Sequence, residues 1–406
     1  MFKSISLLAS GVLLVSAHST PGREASAAAT DSRSEIVLGM STALSGPAAD
    51  LGHRMRAGVQ AAIDETNATG GVRGRKLRLV ALDDGYEPSR TAPNMHKLIE
   101  DEHVLCVVGN VGTPTAIAAI PITTATKTPF FGAFTGAGVL RKTPPDRYVV
   151  NFRASYAEET GAMVDALIDH AGLAPDQIAF FTQRDGYGDA GFAGGLAALK
   201  RRGLKDETQV AHGRYERNTV SVEEGLADVL EADPPAKAVI LVGAYAPCAA
   251  FIRLARKNKL DAQFLNVSFV GTESLANALG DDGDGVIVTQ VVPHFDADLP
   301  AIVQYRQALK DSDQTEPPTF GSLEGYLASR ILIGSLESIS GEITHESIVD
   351  ALDRRGTFDI GIGEQLHLDI EAHQACHRVW PTVLQGGRAV PFDWRSLEKP
   401  HAPDSH

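Results

Sequence analysis

The sequence predicts an α/β protein built on two parallel sheets. From residue 36 onward, short β-branched runs alternate with longer amphipathic stretches, which is the pattern of parallel strands with covering helices. The alternation runs once through 36–152 and begins afresh over 157–291, so two sheets are expected, each with its own core. The chain has 406 residues, 43% of them hydrophobic and 22% charged, which gives it the size for two lobes and the balance of a folded globular protein.

Residues 36–41 read as the first strand. A helix follows over 49–66 because Leu51, Met55, Val59 and Ile63 recur every fourth position on one face. Asn67 to Gly71 end it with residues that tolerate left-handed backbone. Strand 77–82, helix 92–101, the fully apolar strand 104–108, helix 113–122, strand 130–131 and strand 148–152 complete the first series. The second series has helices at 157–171, 191–202, 222–231 and 247–257, with strands at 177–182, 208–213, 238–242, 264–270 and 286–291. After it, 299–310, 320–340 and 345–354 look helical, and 365–370 and 379–385 look like strands facing a turn. Three helices and a hairpin make a poor domain alone. They would complete two unfinished lobes if the chain crossed between those lobes more than once.

Residues 1–17 read as a secretory signal: Met1-Phe2-Lys3, an apolar run over 5–15, then the small-residue cleavage pattern Val15-Ser16-Ala17. A second cut is available after Ala25-Ser26-Ala27. The run falls well short of the ~20 residues that span a bilayer, and no cysteine follows it to accept a lipid. The mature form is therefore expected to be exported and not membrane-inserted, with 18–35 a flexible lead-in and 396–406 a tail. Lys plus Arg number 37 against 51 Asp plus Glu, and a formal charge of −14 repels phosphate backbones. Nucleic acid is not expected as a partner. Three cysteines are too few for a disulfide scaffold, and Cys106 and Cys248 read as inert packing thiols.

Ligand chemistry is expected where strands run into helices. Gly109-Asn110-Val111-Gly112-Thr113-Pro114-Thr115 leaves the carboxyl end of a strand and opens a helix, where free backbone N–H groups and a hydroxyl suit a carboxylate or another polar oxygen. The same residues would serve equally as a plain helix cap. Similar turns occur at Gly132-Ala133-Phe134-Thr135-Gly136 and at Ser45-Gly46-Pro47-Ala48. Gly186-Tyr187-Gly188-Asp189-Ala190-Gly191 matches G-x-G-x-x-G, but the preceding strand is expected to end near Thr182 with four polar residues between, so Tyr187 is placed on a cleft loop.

No G-x-S-x-G, G-x-x-x-x-G-K-[ST] or H-E-x-x-H occurs, so hydrolase, nucleotide and zincin chemistry has no anchor. No catalytic residue, cofactor or metal is expected. His367, His373, His377 and Cys376 lie close in sequence, yet strand alternation does not bring them to one tetrahedral point. Asp281-Asp282-Gly283-Asp284-Gly285 lacks the spacing of a calcium loop.

The run Ile36-Val37-Leu38-Gly39-Met40-Ser41-Thr42-Ala43-Leu44-Ser45-Gly46-Pro47 with Leu51-Gly52 resembles the opening of periplasmic binding proteins of the leucine/isoleucine/valine type. The resemblance continues through Gly70-Gly71-Val72-Arg73-Gly74-Arg75-Lys76-Leu77, Asp83-Asp84, Val107-Val108-Gly109, Asp185-Gly186-Tyr187-Gly188, Gly243-Ala244-Tyr245-Ala246-Pro247 and Phe269-Val270-Gly271-Thr272-Glu273. It implies a type I periplasmic binding fold, two Rossmann-like lobes joined by three crossover strands, with ligand trapped between them by hinge closure. Crossings are expected near 151–153, 291–293 and 367–369, giving an N-terminal lobe of 36–151 plus 292–366 and a C-terminal lobe of 152–291 plus 367–395.

The resemblance also implies the ligand-binding set Ser45, Leu51, Thr113, Ala133, Phe134, Thr135, Tyr187, Tyr245 and Ser268. Two positions depart from the family pattern. Leu51 stands where an aromatic is often found. Ser268 stands where the family's acidic partner for a ligand ammonium falls, with Glu273 five residues further along the loop. An ammonium buried without a carboxylate would cost several kcal/mol. The expected ligand is therefore a carboxylate, an amide or a larger apolar or lipid-like molecule rather than a standard α-amino acid, unless Asp185 or another acid substitutes. The implied role is a monomeric periplasmic protein that hands a small molecule to an ABC transporter permease. A branched-chain amino-acid binder, a ligand sensor for a membrane receptor and an exported α/β enzyme are the alternatives.

Overall fold

The computed structural model describes residues 35–312 and 316–398; the expected signal, nearly all of the lead-in and most of the tail lie outside them. Five parallel strands form the first sheet: β1 (Glu35–Thr42), β2 (Lys76–Asp83), β3 (Cys106–Val108), β4 (Phe130–Phe131) and β5 (Val149–Val150), in the order β2-β1-β3-β4-β5. β1 and β2 pair in register from Glu35 opposite Lys76 to Thr42 opposite Asp83. The inner strand β3, with β4 and β5, is wholly apolar and buried because helices cover both faces, whereas the edge strand β2 carries Lys76, Arg78 and Asp83 and is partly exposed.

Those helices are α1 (Ala49–Ala68), α2 (Pro88–His96) and α3 (Thr113–Thr126). Helix α2 starts four residues before the expected 92–101. Pro88 suits the first turn, where its missing N–H has no partner to lose, and from Lys97 to Asp101 the coil widens to a π-helical turn.

The second sheet has seven strands in the order β14-β13-β10-β9-β8-β6-β7. Its parallel part is β6 (Ile178–Gln183), β7 (His212–Tyr215), β8 (Ala238–Val242), β9 (Gln263–Asn266) and β10 (Ile287–Gln290). Helices α4 (Tyr156–Asp169), α5 (Gly186–Arg201), α6 (Glu223–Leu230), α7 (Tyr245–Lys257) and α8 (Thr272–Leu279) alternate with them. Strand β7 starts four residues later than the expected 208–213, because Asp206 accepts the N–H of Thr208 and sets a short turn over Glu207–Gln209. Strand β9 stops short of the expected 264–270, and Ser268–Val270 is a 3-10 turn.

The last third joins both sheets. Helices α9 (Pro300–Asp311), α10 (Phe320–Ser338) and α11 (His345–Asp353) belong to the first, where α10 lies across α1 at a contact that only glycine permits. A Cβ at Gly58 would lie 1.8 Å from the Ser322 carbonyl oxygen, and one at Gly325 would lie 2.4 Å from that of Met55. The expected hairpin of 365–370 with 379–385 does not form. β12 (Leu366–Leu368) pairs with β11 (Gly356–Phe358) in a separate ribbon, while β13 (Trp380–Gln385) pairs with β14 (Arg388–Pro391) and with β10. Where the chain leaves the first sheet, Asn151 pairs in parallel with Gln374, and the Cys376 N–H donates to the Phe152 carbonyl at 2.8 Å. All three cysteines are unbridged and buried, and burial pushes the Cys376 thiol up to about 11. No described helix is long and apolar enough to cross a membrane.

Candidate functional site

The carboxyl ends of β3 and β4 build the polar floor of the site. After β3 the chain reaches Gly112, whose φ of 102° favours glycine, and Gly112 rather than Thr113 caps α3. No side chain caps that helix. The Thr113 hydroxyl instead lies 2.6 Å from that of Thr135, both fully buried, so the helix-cap role is not the one its hydroxyl serves. Thr135 ends a turn through buried Ala133 and Phe134, and its Oγ1 accepts the N–H of Ala137 at 3.2 Å. Arg141 fixes that turn. Its guanidinium donates to the carbonyls of Thr135 at 3.3 Å, Ala137 at 3.1 Å and Arg153 at 3.0 Å, and to Gln374 Oε1 at 2.6 Å; burial lowers its pKa to about 10.

Aromatic residues of the second half cluster against Phe134. Tyr187 is not on a loop as expected. It lies in the first turn of α5, where Asp185 caps the helix by accepting its N–H at 3.0 Å, and its ring is fully buried. The G-x-G glycines therefore do begin at a strand-to-helix turn, but they serve packing: a Cβ at Gly188 would lie 1.9 Å from the Gln183 carbonyl oxygen. Ring centroids of Tyr187 and Phe269 are 4.6 Å apart, Tyr187 and Tyr156 5.1 Å, and Phe134 and Phe269 5.4 Å, the last pair spanning the two halves. Leu51 meets the second half at Gly271, where a Cβ would lie 2.6 Å from Leu51 Cδ2 and 3.5 Å from Tyr245 Cδ1. Tyr245 is half-buried, and burial with the nearby charge of Asp50 raises its pKa.

Two expected residues are spent on other partners. Ser45 is exposed, and its Oγ donates to Asp83 Oδ2 at 2.6 Å. Although burial acts the other way, hydrogen bonds from Ser45, Leu44, Arg90 and Gly85 hold the Asp83 carboxyl well below the usual range. Ser268 is engaged by a buried charge network. It donates to Glu159 from its N–H at 2.7 Å and from Oγ at 3.0 Å, and accepts from Arg153 Nη2. Glu159 also accepts from Thr289 at 2.6 Å. Arg153 is 1% exposed, with its guanidinium 5.1 Å from the Phe134 ring and 5.7 Å from that of Tyr156. Its Nη1 lies 3.5 Å from Glu324, whose carboxyl is pushed up to about 7 by burial despite the Arg153 charge.

The three histidines of the 367–377 segment go to separate partners. His367 pairs with Asp369 at 2.8 Å, His373 with Asp353 at 2.9 Å and His377 with Glu158 at 2.6 Å.

Sequence reasoning missed Tyr86, Tyr156, Gln183 and Arg153. Arg153 had a signal, a lone cation in an apolar crossing segment. Tyr86 had little, because Asp84-Gly85-Tyr86-Glu87 reads only as a turn.

The family described as periplasmic binding protein matches this chain over residues 35–388. A crystal structure of a possible leucine/isoleucine/valine-binding protein from Rhodopirellula baltica SH 1 is 54% identical, with a TM-score of 0.88, covering 91% of this chain and 99% of that one. The leucine-, isoleucine-, valine-, threonine-, and alanine-binding protein of Pseudomonas aeruginosa is 24% identical over 337 residues, 81% of this chain and 84% of that relative. A fatty acid ABC transporter substrate-binding protein from Thermomonospora curvata is 20% identical with a TM-score of 0.77, covering 89% and 94%, a likeness of fold alone.

Proposed function

Because this chain belongs to the periplasmic binding protein family, we propose that it captures a small organic ligand between two lobes and delivers it unchanged to an ABC transporter in the periplasm. The lobes are 36–151 plus 292–366 and 152–291 plus 367–395. The observation that carries this reading is the buried Thr113–Thr135 hydroxyl pair beside Phe134, whose ring meets Phe269 of the other half. A hydroxyl at a helix start beside a second from a neighbouring turn suits a ligand oxygen, and apolar rings with few polar groups are the usual lining of a small-molecule site.

The ligand is a carboxylate, an amide or a larger apolar molecule rather than a free α-amino acid. Ser268 carries no charge, Glu159 is saturated by Ser268, Thr289 and Arg153, and Asp185 is spent on the cap of α5 and on Arg217 at 3.2 Å. A ligand ammonium would find no unspent carboxylate among these residues, and an unpaired buried charge costs several kcal/mol.

One observation favours a second reading, an amino-acid ligand. Glu273, on the first turn of α8, reaches the other half and accepts the Phe320 N–H at 3.2 Å; burial raises its pKa. The names of the Rhodopirellula and Pseudomonas relatives point the same way. Calorimetry with the matched set L-leucine, 4-methylpentanoate, 4-methylpentanamide and 3-methylbutylamine separates the two. Binding of the acid or the amide without L-leucine is expected; tighter binding of L-leucine, lost in Glu273→Gln, would establish the second reading.

A further inference from the structure

Tyr86 has a left-handed backbone, with φ of 63°, a conformation a bulky residue adopts only when its surroundings force it. Such strain gathers at ligand clamps. The ring is 1% exposed and wedged beside the polar floor: a Cβ at Gly112, the residue before Thr113, would lie 2.1 Å from Tyr86 Cε2. From the first half, Tyr86 reaches toward the second, its ring centroid 5.9 Å from that of Phe269 and its hydroxyl 3.2 Å from Gln183 Nε2.

The hydrogen-bond directions around Gln183 can be assigned from its neighbours. Gln183 Nε2 lies 2.7 Å from Asp185 Oδ2, and a carboxylate only accepts, so that atom is the amide nitrogen. Gln183 Oε1 is then the acceptor for the Tyr215 hydroxyl at 3.0 Å, which itself accepts the Ala244 N–H at 3.0 Å. The Tyr86 hydroxyl must therefore accept from Gln183. Its own proton has no acceptor among the described residues, although the side chain is buried and its ring lies against Gly112, the residue before Thr113.

We propose that Tyr86 is a specificity-determining residue of the interlobe site, donating its phenolic hydrogen to an acceptor oxygen of the ligand while its ring limits the ligand's size. This rests on the interlobe reading above. A buried phenol that accepts one hydrogen bond and can still donate one discriminates strongly, because a ligand without an acceptor leaves the donor unpaired. The ring fills the space beside Gly112 that a larger ligand would need.

The test is calorimetry with 4-methylpentanoate, 4-methylpentanamide, phenylacetate and L-leucine on the wild-type protein, Tyr86→Phe, Tyr86→Ala and Thr113→Ala. Tyr86→Phe keeps the ring and removes the hydroxyl, both its free hydrogen and the acceptor of one Gln183 N–H, while the Gln183 bond to Asp185 remains. It is expected to weaken the probe that the wild type binds best by about tenfold, with the melting temperature of the free protein nearly unchanged. Tyr86→Ala is expected to favour phenylacetate over 4-methylpentanoate relative to the wild type, as the size limit is lifted. Unaltered affinity in Tyr86→Phe, or no binding of any of these oxygen-bearing probes by the wild type, overturns the role of Tyr86. If Thr113→Ala alone weakens binding, only Tyr86 was misassigned. If probes bind and both variants are silent, the interlobe reading fails with it.

Discussion

At the scale of single residues, the Thr113–Thr135 pair and Glu324 make opposite demands on the protein. The threonines bond to each other at 2.6 Å and cap no helix, so removing the Thr113 hydroxyl costs the fold little beyond that one bond. Thr113→Ala is expected to weaken ligand binding about tenfold and to move the free protein's stability by less than about 1 kcal/mol, checked by calorimetry beside thermal melts. Glu324 is costly in its charged form. Burial lifts its carboxyl from 4.5 to about 7, so the folded protein holds that proton more tightly than the unfolded chain does. Its contribution to stability is therefore full below pH 4.5, declines as pH rises, and is lost above about 7. Glu324→Gln should flatten that slope and stabilise the protein at pH 8 by on the order of 1 to 3 kcal/mol in urea melts at several pH values. An unchanged slope would mean that another group carries it.

At the scale of elements, much of the architecture was legible in the sequence, and the misses have physical causes. Strands 130–131 and 238–242 were placed to the residue because continuous apolar runs between turn residues leave one reading. Helix α5 was begun five residues late because Gly186-Tyr187-Gly188 reads as loop, whereas Asp185 caps a helix there and Gly188 lets it press on the end of β6. The false hairpin arose because pairing partners are set by the whole sheet, and β13 closes on β10, distant in sequence. Of the candidate site, the sequence grouped Thr113, Phe134, Thr135 and Tyr187 but put Tyr187 on a loop rather than a helix; the place of Ser268 beneath Arg153 was not legible, since it depends on a contact spanning 115 residues.

Two substitutions test this element-level account. Gly188→Ala should destabilise by about 3 kcal/mol, because the new Cβ meets a backbone carbonyl at 1.9 Å, whereas Gly138→Ala, with nothing within 4 Å, should be neutral in the same melts. Ser155→Ala breaks the capping box with Glu158 at the start of α4 and should cost about 1 kcal/mol.

Across the whole molecule, the two halves meet through a rim of polar contacts around the aromatic centre. Glu87, at the start of α2, receives Arg217 Nη2 at 2.7 Å and Asn218 Nδ2 at 2.7 Å from the second half. Arg217 also reaches Asp185 beside the site. The pair is partly exposed, so it adds little to the contact between the halves. Glu87→Gln should weaken ligand binding about two- to fivefold at low salt, with the difference shrinking as salt is added. An equal effect at all salt concentrations would mean that the contact works through packing instead.

The claim beneath all of this is that two hinged halves shut around a guest and release it intact. Small-angle scattering on protein stripped by unfolding and refolding, before and after adding back the small molecule it carried, tests that claim most directly. The account predicts a fall in the radius of gyration that Thr113→Ala suppresses, and a guest recovered chemically unchanged. An unaltered radius at saturation, or a guest returned as a different compound, would contradict it.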